Sequence, residues 1–218
     1  METPDCKSPQ SATLNKLKHL LSSIYSSSSS PYEDDMHVQI LRLLAFAGAV
    51  AAHQWVGMEN LPDGPYRGFN YPNGSTTMIS LTSGKEFTFH LNETATENTR
   101  RSDSVITKRD TSCWGYQLDH SGVDIGVNQL KTWASEIGGA TLTSCARNQY
   151  YGFNNNGVYV YYCINRAWSS GNLDLVDVNY ALTNMDSICI PYEAGYFLWP
   201  GSPELVGKCS SGTAVCLG

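Results

Sequence analysis

The clearest structural signal in the chain is the sequence YYGFNNNGVYVYYCI at residues 150–164. Asn154–Gly157 is a strong turn signal, because asparagine and glycine tolerate the positive φ angles of a tight hairpin. The residues that follow are β-branched or aromatic, which favours a strand. Because side chains alternate along a strand, Tyr159 and Tyr161 share one face while the intervening valines share the other. The stretch predicts a β-hairpin over Tyr150–Cys163 with a valine-lined face and a tyrosine-lined face.

Two helices are predicted on either side of this hairpin. Apolar residues recur at four-three-four-three spacing over Val123–Ile137, which predicts an amphipathic helix capped by Ser121. A second helix is predicted over Leu173–Cys189, with Asn172 or Ser170 as its cap. Its spacing predicts five inward-facing residues, which are Val178, Ala181, Leu182, Met185 and Ile188.

Shorter strand patterns complete the C-terminal half: Cys113–Leu118, Ala140–Ala146 and Gly195–Trp199. The residues from there to Cys216 are expected to form an edge strand or a loop. The order strand, helix, strand, strand, helix, strand predicts an α+β fold. We expect a small, disulfide-stabilised sandwich in which both helices cover one face of an antiparallel sheet.

Six of the seven cysteines fall within residues 110–218. They are Cys113, Cys145, Cys163, Cys189, Cys209 and Cys216. An even number in a short region predicts three disulfide bridges, each contributing about 2–4 kcal/mol of stability. The spacing leaves every pairing open. No metal site is predicted, because structural zinc sites favour close ligand pairs and the region has a single histidine.

The N-terminal part carries signals for secretion. Residues 36–52 contain a basic residue, a short apolar centre and small residues after it, which predicts a signal peptide cut after Ala51 or Ala52. A buried helix is the alternative interpretation. Residues 1–35 are serine-rich and acidic, so they are predicted to be disordered or to be a gene-model extension ahead of a true start at Met36.

A processing site is predicted further along the chain. Residues 53–109 contain no cysteine and end in Lys108-Arg109, a dibasic site of the kind cut by kexin-type proteases of the secretory pathway. The pair lies just ahead of the cysteine-rich region. We therefore predict that 53–109 is a propeptide and 110–218 the mature domain. The sequons at Asn73 and Asn92 predict N-glycosylation.

The combination of these features resembles the fungal killer-toxin-like secreted proteins, a group that includes necrosis-inducing extracellular effectors of plant pathogens. The resemblance rests on Lys108-Arg109, the helix Val123–Ile137, the hairpin Tyr150–Cys163, the helix Leu173–Cys189 and the six cysteines, and it covers half of the chain. It implies a secreted virulence factor or an antagonist of competing microbes. It brings no catalytic residues with it.

No catalytic set is predicted from the residues themselves. Asp119-His120-Ser121 holds the only histidine of residues 110–218, and three consecutive side chains cannot adopt the geometry of a hydrolytic triad. The acidic residues show no spacing that singles out a glycosidase pair. We therefore expect neither catalysis nor a cofactor.

The tyrosines around the hairpin turn are the candidate binding residues. If the valines face the helices, Tyr159 and Tyr161 face solvent or a partner, and Tyr150 and Tyr151 flank the same turn. Exposed aromatic side chains stack on sugars or anchor protein interfaces. The alternative interpretation is that tyrosine simply suits a strand.

Charge and hydropathy exclude several partner classes. The chain has a formal net charge of −6, and residues 110–218 hold four basic and nine acidic residues, a net charge of −5. Such a balance opposes binding to nucleic acid or anionic lipid, and no apolar run is long enough to span a membrane. The chain is predicted to be a secreted, extracellular effector or killer-toxin-like factor that binds a protein or glycan of a host or competing microbe. The alternatives are a cell-wall carbohydrate-binding protein and a small secreted hydrolase.

Overall fold

A computed structural model of the protein describes residues 54–92, 110–136 and 139–218. The predicted leader segments 1–35 and 36–52, and the dibasic pair Lys108-Arg109, lie outside the described residues. Within the described ranges the strands are β1 (Gly64–Asn70), β2 (Ser75–Ser80), β3 (Glu86–His90), β4 (Asp110–Gln117), β5 (Ala140–Ser144), β6 (Gln149–Asn155), β7 (Val158–Ile164), β8 (Ser169–Leu173), β9 (Glu193–Leu198) and β10 (Glu204–Ser210). The α-helices are α1 (His120–Ala134) and α2 (Leu175–Asp186), and a one-turn 3-10 helix covers Met58–Asn60.

Eight strands form one antiparallel sheet in the order β3-β2-β1-β6-β7-β10-β9-β4, and β5 pairs with β8 in a small second sheet. This arrangement is α+β with an antiparallel sheet, as predicted. The detailed order differs, because β8 is an additional strand and β10 pairs with both β7 and β9 inside the sheet. The sequence of β10 contains a glycine and a lysine, so its central position comes from its neighbours rather than from local strand propensity.

The predicted hairpin is formed by β6 and β7, whose ends Asn155 and Val158 are paired. The two residues between them, Asn156 and Gly157, have φ angles of 48° and 73°. Positive φ at both positions is the backbone of the two-residue turns that match strand twist. The Asn-Gly signal therefore predicted the turn correctly.

Helix α1 begins earlier than predicted. Its cap is Asp119, whose Oδ1 accepts a hydrogen bond of 2.7 Å from the backbone N–H of Gly122. The predicted cap Ser121 lies inside the first turn. Serine and aspartate both cap well, so composition does not choose between neighbouring candidates and the backbone conformation does.

Helix α2 begins later than predicted. Asp174 is its cap and forms a capping box with Asp177, in which each side chain accepts from the other residue's backbone N–H. The predicted caps Asn172 and Ser170 lie in β8, where they pair with Thr141 and Thr143 of β5.

The predicted propeptide supplies three strands of the large sheet. Strands β1, β2 and β3 all lie within residues 53–109, and β1 pairs with β6 from Gly64–Asn154 to Phe69–Gln149. Residues 54–92 and 110–218 therefore share one sheet. The threonine-, asparagine- and serine-rich composition pointed to a removable segment, and it concealed the period-two pattern of buried residues in β1 and β2.

The central strands of the large sheet are buried on both faces. One face packs against α1 and α2 through an aliphatic cluster that includes Val123, Leu130, Val178 and Met185. We call it the helix face. The opposite face is covered by Trp55, Met58 and Leu61 ahead of β1 and by Val215 and Cys216 of the C-terminal segment.

Candidate functional site

The two faces of the predicted hairpin are found as expected, but the tyrosines are not exposed. Val158 and Val160 belong to the cluster under the helices, while Tyr159 and Tyr161 lie on the opposite face. The exposed fractions of the two tyrosines are 0% and 1%, so the expectation that they face solvent is wrong for this chain. Residues 54–92, which the prediction set aside as a propeptide, cover them.

Tyr150 lies in the same buried layer. Its ring is stacked on that of Trp55, with 6.1 Å between centroids and 11° between planes, and its hydroxyl is 2.6 Å from that of Thr76. We call Tyr150, Tyr159 and Tyr161 the tyrosine layer. Burial raises the pKa of all three phenols, so the layer is neutral at physiological pH.

Tyr151 is on the other side of the sheet. Its ring stacks on that of Trp133 in α1, with 3.9 Å between centroids. Burial raises the pKa of Tyr151, and the nearby Glu136 carboxylate adds to the effect. The four candidate tyrosines are therefore not brought together on one surface, and their role in binding stays a prediction.

Two disulfides link the described cysteines: Cys113 to Cys189 and Cys163 to Cys216. Cys145 is disulfide-bonded as well. The first bridge ties the end of α2 to β4, and the second ties β7 to the C-terminal segment. The prediction of disulfides is confirmed at these positions.

Cys209 is a free cysteine, so the prediction that all six cysteines pair into three bridges is wrong. It lies on β10, fully buried in the cluster that contains Tyr159 and Tyr161. Burial among these residues raises the pKa of the Cys209 thiol, which keeps it protonated and unreactive. An even count of cysteines carries no information about where each side chain points.

One group among the described residues has the makeup of a metal site, namely Cys113, Cys189 and Glu193. The two sulfur atoms are bonded to each other. The Glu193 carboxylate accepts hydrogen bonds from the backbone N–H groups of Gly115 and Ile190, at 2.6 and 2.9 Å. The group is thus a structural junction between β4, β9 and the segment after α2.

The consecutive residues Asp119, His120 and Ser121 do not form a triad. Asp119 caps α1, and the His120 ring stacks on Tyr192 with 3.9 Å between centroids. The Ser121 hydroxyl accepts a hydrogen bond from the Asn156 side chain at 3.3 Å. Each side chain has a structural partner of its own.

A cleft of about 400 Å³ lies between the two helices. Its floor is Lys208 of β10, whose side chain is only 3% exposed and whose Nζ is 3.2 Å from Asp186 Oδ1. Asp124 and Lys131 of α1 also line it. Sequence reasoning missed Lys208, although alternation along β10 places it on the same face as the buried Val206.

Two strongly exposed apolar residues that follow α2 flank a disulfide. Ile188 and Ile190 are 66% and 67% exposed and stand on either side of Cys189. We call residues 187–191 the isoleucine loop. Ile188 was predicted to face inward, which is wrong because α2 ends at Asp186 and the helical periodicity ends with it.

The isoleucine loop is held by several bonds. The backbone N–H groups of Ile188 and Cys189 donate to Met185 O, at 3.1 and 2.7 Å. The N–H of Ile190 donates to Glu193 Oε2. The disulfide to Cys113 anchors the centre of the loop. The arrangement presents two apolar side chains on a fixed backbone.

The predicted modification sites are only partly described. Asn73 and Asn92 are both exposed, and Asn73 occupies the turn between β1 and β2, where its Oδ1 accepts from the Ser75 hydroxyl at 2.7 Å. Their glycosylation stays a prediction. The processing residues Ala51, Ala52, Lys108 and Arg109 lie outside the described residues.

Comparison of the chain with protein-family models, with curated proteins and with solved structures finds no significant match. In the described ranges, none of the helices has the length and apolar character required to cross a membrane.

Proposed function

We propose that the protein is a secreted effector of the killer-toxin-like type that acts by binding a protein of a host or competing microbe. The isoleucine loop is the observation that carries this proposal. Large apolar side chains grouped on a surface are typical of protein–protein contact sites. Ile188 and Ile190 are exposed together at one fixed loop.

The rigidity of the loop supports binding as its role. A surface that is already in its bound conformation loses less conformational entropy on association. The disulfide from Cys189 to Cys113 and the hydrogen bonds to Met185 and Glu193 supply that rigidity. Val176 and Tyr180, one turn apart on α2, expose further apolar area.

Secretion is supported by the cysteine chemistry. Disulfides such as Cys113–Cys189 and Cys163–Cys216 form and persist in oxidising compartments. The net charge of −5 in residues 110–218 favours a neutral or basic protein surface as the target.

The test is a double substitution in the isoleucine loop, Ile188→Ser with Ile190→Ser. We expect the purified protein to lose at least tenfold in potency when it is infiltrated into plant leaves or applied to competing fungal colonies. Both side chains are exposed, so each substitution changes the free energy of unfolding by less than about 0.5 kcal/mol. Dose–response curves for necrosis and for growth inhibition are the measurements.

The matched control is Ile125→Ser on α1, which removes another partly exposed isoleucine that is not part of the loop. It is expected to keep full potency. If the double variant and the control are equally active, the isoleucine loop is not the binding surface. If no preparation affects either organism, the effector proposal itself fails.

A second candidate function, binding of cell-wall carbohydrate, is favoured by Trp168. Its indole is 47% exposed, and its backbone has a φ of 56°, which is rare for a bulky residue. The N–H of Trp168 donates to Cys145 O at 2.7 Å, which holds the turn in place. An exposed, fixed indole is a stacking surface for a sugar ring. Loss of glycan-array binding in Trp168→Ala, with binding retained in the isoleucine-loop variant, supports this alternative.

A further inference from the structure

The covering of the tyrosine layer by residues 54–92 has a consequence for processing. Residues 53–109 contain no cysteine, so in the predicted secreted chain, which begins after Ala51 or Ala52, residues 54–92 are joined covalently to residues 110–218 only through residues 93–109. The predicted dibasic site Lys108-Arg109 is in that connection. A cut there leaves two chains with no disulfide between residues 54–92 and residues 110–218.

The two parts are joined by backbone hydrogen bonding along a whole strand. Strand β1 pairs with β6 over its full length. A second attachment is made by the residues before β1, where Trp55 N donates to Gly212 O at 2.9 Å and Gln54 forms an isolated bridge with Thr213. These contacts follow directly after the predicted signal-peptide cleavage position, so the predicted secreted chain retains them.

Buried side-chain hydrogen bonds reinforce the pairing. Asn154 Nδ2 donates to Leu61 O at 2.6 Å, and Asn70 Nδ2 donates to Val215 O and Cys216 O at 2.8 and 2.6 Å. Both asparagines are buried. If the two parts separated, the side-chain amides of Asn154 and Asn70 and the backbone carbonyls that accept from them would lose these hydrogen bonds, which is costly for buried groups.

The side chains of residues 54–92 and 110–218 pack closely against each other. Gly68 of β1 has no side chain, and a Cβ placed there would overlap the ring of Tyr150. The ring of Tyr150, which belongs to residues 110–218, therefore fills the space beside Gly68. Trp55 and Tyr66 are each 1% exposed within the same cluster. Close complementarity of this kind is a property of protein interiors and stable interfaces.

The position of the predicted cut leaves this interface intact. Strand β3 is at one edge of the large sheet and β4 is at the other, and residues 93–109 connect them. Cleavage between Arg109 and Asp110 removes no strand and separates no described strand pair. The surface that would open if 54–92 departed is the strand β6 together with the tyrosine layer.

We propose that residues 54–92 are a strand-donating subunit, and that the processed protein is a non-covalent two-chain complex of this segment with residues 110–218. Residues 54–92 stay packed against the tyrosine layer after the cut. The proposal rests on the predicted dibasic cleavage and is independent of the target of the isoleucine loop. It changes what has to be purified, because residues 110–218 alone lack three strands and five buried apolar side chains, which are Trp55, Met58, Leu61, Tyr66 and Met78.

The experiment uses the full chain with Cys6→Ser, so that no cysteine remains ahead of residue 110, and it places the recognition sequence of a sequence-specific protease at residues 103–109. After digestion, the protein is examined by native size-exclusion chromatography and by intact mass under denaturing, non-reducing conditions. We expect co-elution of both chains at the size of the uncut protein, and two separate masses once denatured. The urea midpoint of the cut protein is expected to rise with protein concentration, since dissociation accompanies unfolding.

Variants at the boundary test the interface itself. Gly68→Val places a side chain against Tyr150 and is expected to weaken retention of the segment at least tenfold. Thr88→Val, on the exposed face of β3, is the matched control and is expected to retain the segment. If Gly68→Val prevents folding of the uncut chain, Asn70→Ala tests retention through the loss of its two hydrogen bonds.

Two results overturn the proposal. One is elution of the segment apart from a monodisperse 110–218 chain that keeps its near-ultraviolet circular dichroism. The other is an unchanged, concentration-independent urea midpoint after the cut. Neither readout involves a target, so a failed effector assay and a failed subunit proposal are told apart.

Discussion

The helix face and the tyrosine face of the sheet are buried by different chemistry and by different parts of the chain. The helix face is covered by α1 and α2 and is largely aliphatic. The tyrosine face is covered by Trp55, Met58 and Leu61 and by Val215 and Cys216 of the C-terminal segment, and it is richer in aromatic side chains and in hydrogen-bonded buried asparagine amides. Five buried apolar residues of the core therefore lie on the other side of the predicted processing site: Trp55, Met58, Leu61, Tyr66 and Met78. The stability of the predicted mature domain, residues 110–218, therefore depends on residues 54–92, which belong to the segment that is expected to be removed.

The two faces of the sheet also differ in their hydrogen bonding. Aliphatic packing on the helix face tolerates small shifts between helix and sheet, whereas a buried amide that must meet particular carbonyls does not. Asn154 and Asn70 each bridge residues 54–92 and 110–218 in this way, Asn154 to Leu61 O and Asn70 to Val215 O. The tyrosine face therefore admits one register of the N-terminal segment.

The largest expected effect comes from Trp55→Ala. This change removes a fully buried indole from the tyrosine face, and it is expected to lower the free energy of unfolding by about 3–5 kcal/mol. The neighbouring Val56→Ala is the control, because Val56 is 63% exposed. Urea unfolding followed by circular dichroism and by tryptophan fluorescence is the measurement. A second, separate transition for the helix face would show that the two faces do not unfold together.

A smaller effect is expected at the ion pair on the helix face. Asp186→Ala leaves the buried Lys208 charge without its counter-ion and is expected to cost about 1–3 kcal/mol, less than a fully buried pair because Asp186 is half exposed. Lys208→Met removes the charge and keeps the volume, so its effect is expected to stay within about 1 kcal/mol. Thermal unfolding of both variants decides the point. Equal losses would mean that the ion pair itself stabilises the fold.

The smallest effect at neutral pH is expected from Tyr159→Phe, because the Tyr159 hydroxyl has no hydrogen-bond partner among the described residues. Burial raises the pKa of Tyr150, Tyr159 and Tyr161 in the folded state. Their contribution is fully present below the unfolded pKa of about 10, and stability is lost as the pH rises above it. We expect Tyr159→Phe to shift the alkaline unfolding midpoint upward. Absorbance at 295 nm, followed together with circular dichroism, measures this.

The control for this titration is Tyr150→Phe, which also removes a phenol but loses the hydrogen bond to Thr76. It is expected to lower stability at pH 7 by about 1 kcal/mol. A smaller absorbance change below the unfolding transition in Tyr159→Phe than in the unsubstituted protein would mean that Tyr159 ionises in the folded state, which would contradict the burial of the tyrosine layer.

Features that depend on neighbouring residues were predicted well. The Asn156-Gly157 turn, the hairpin around it and the apolar period of α1 need only a few consecutive side chains to specify them. The α+β class followed from their order. Helix ends were less well predicted, since Asp119 and Asp174 compete with nearby serine and asparagine as caps and the choice depends on backbone geometry.

The sequence indicated which residue types form the candidate site, but not where those residues lie in the fold. Alternation along β7 correctly separated Tyr159 from Val160, but it carried no information about which layer covers the tyrosines. The sequence pattern also did not indicate that Ile188 is exposed. Helix α2 ends at Asp186, so Ile188 lies in the loop that the Cys113–Cys189 disulfide anchors and no longer follows the helical spacing.

Residue order alone determines the alternation of β7, the tight turn before it, the acidic balance and the presence of cysteines able to form disulfides. Tertiary structure decides the central place of β10, the free thiol of Cys209 and the burial of Tyr150 against Gly68. The physical reason is the range of the interactions. Turns and periodicity arise within a few residues, whereas the covering of a sheet face depends on contacts such as Gly68 with Tyr150, which form only after distant parts of the chain have paired.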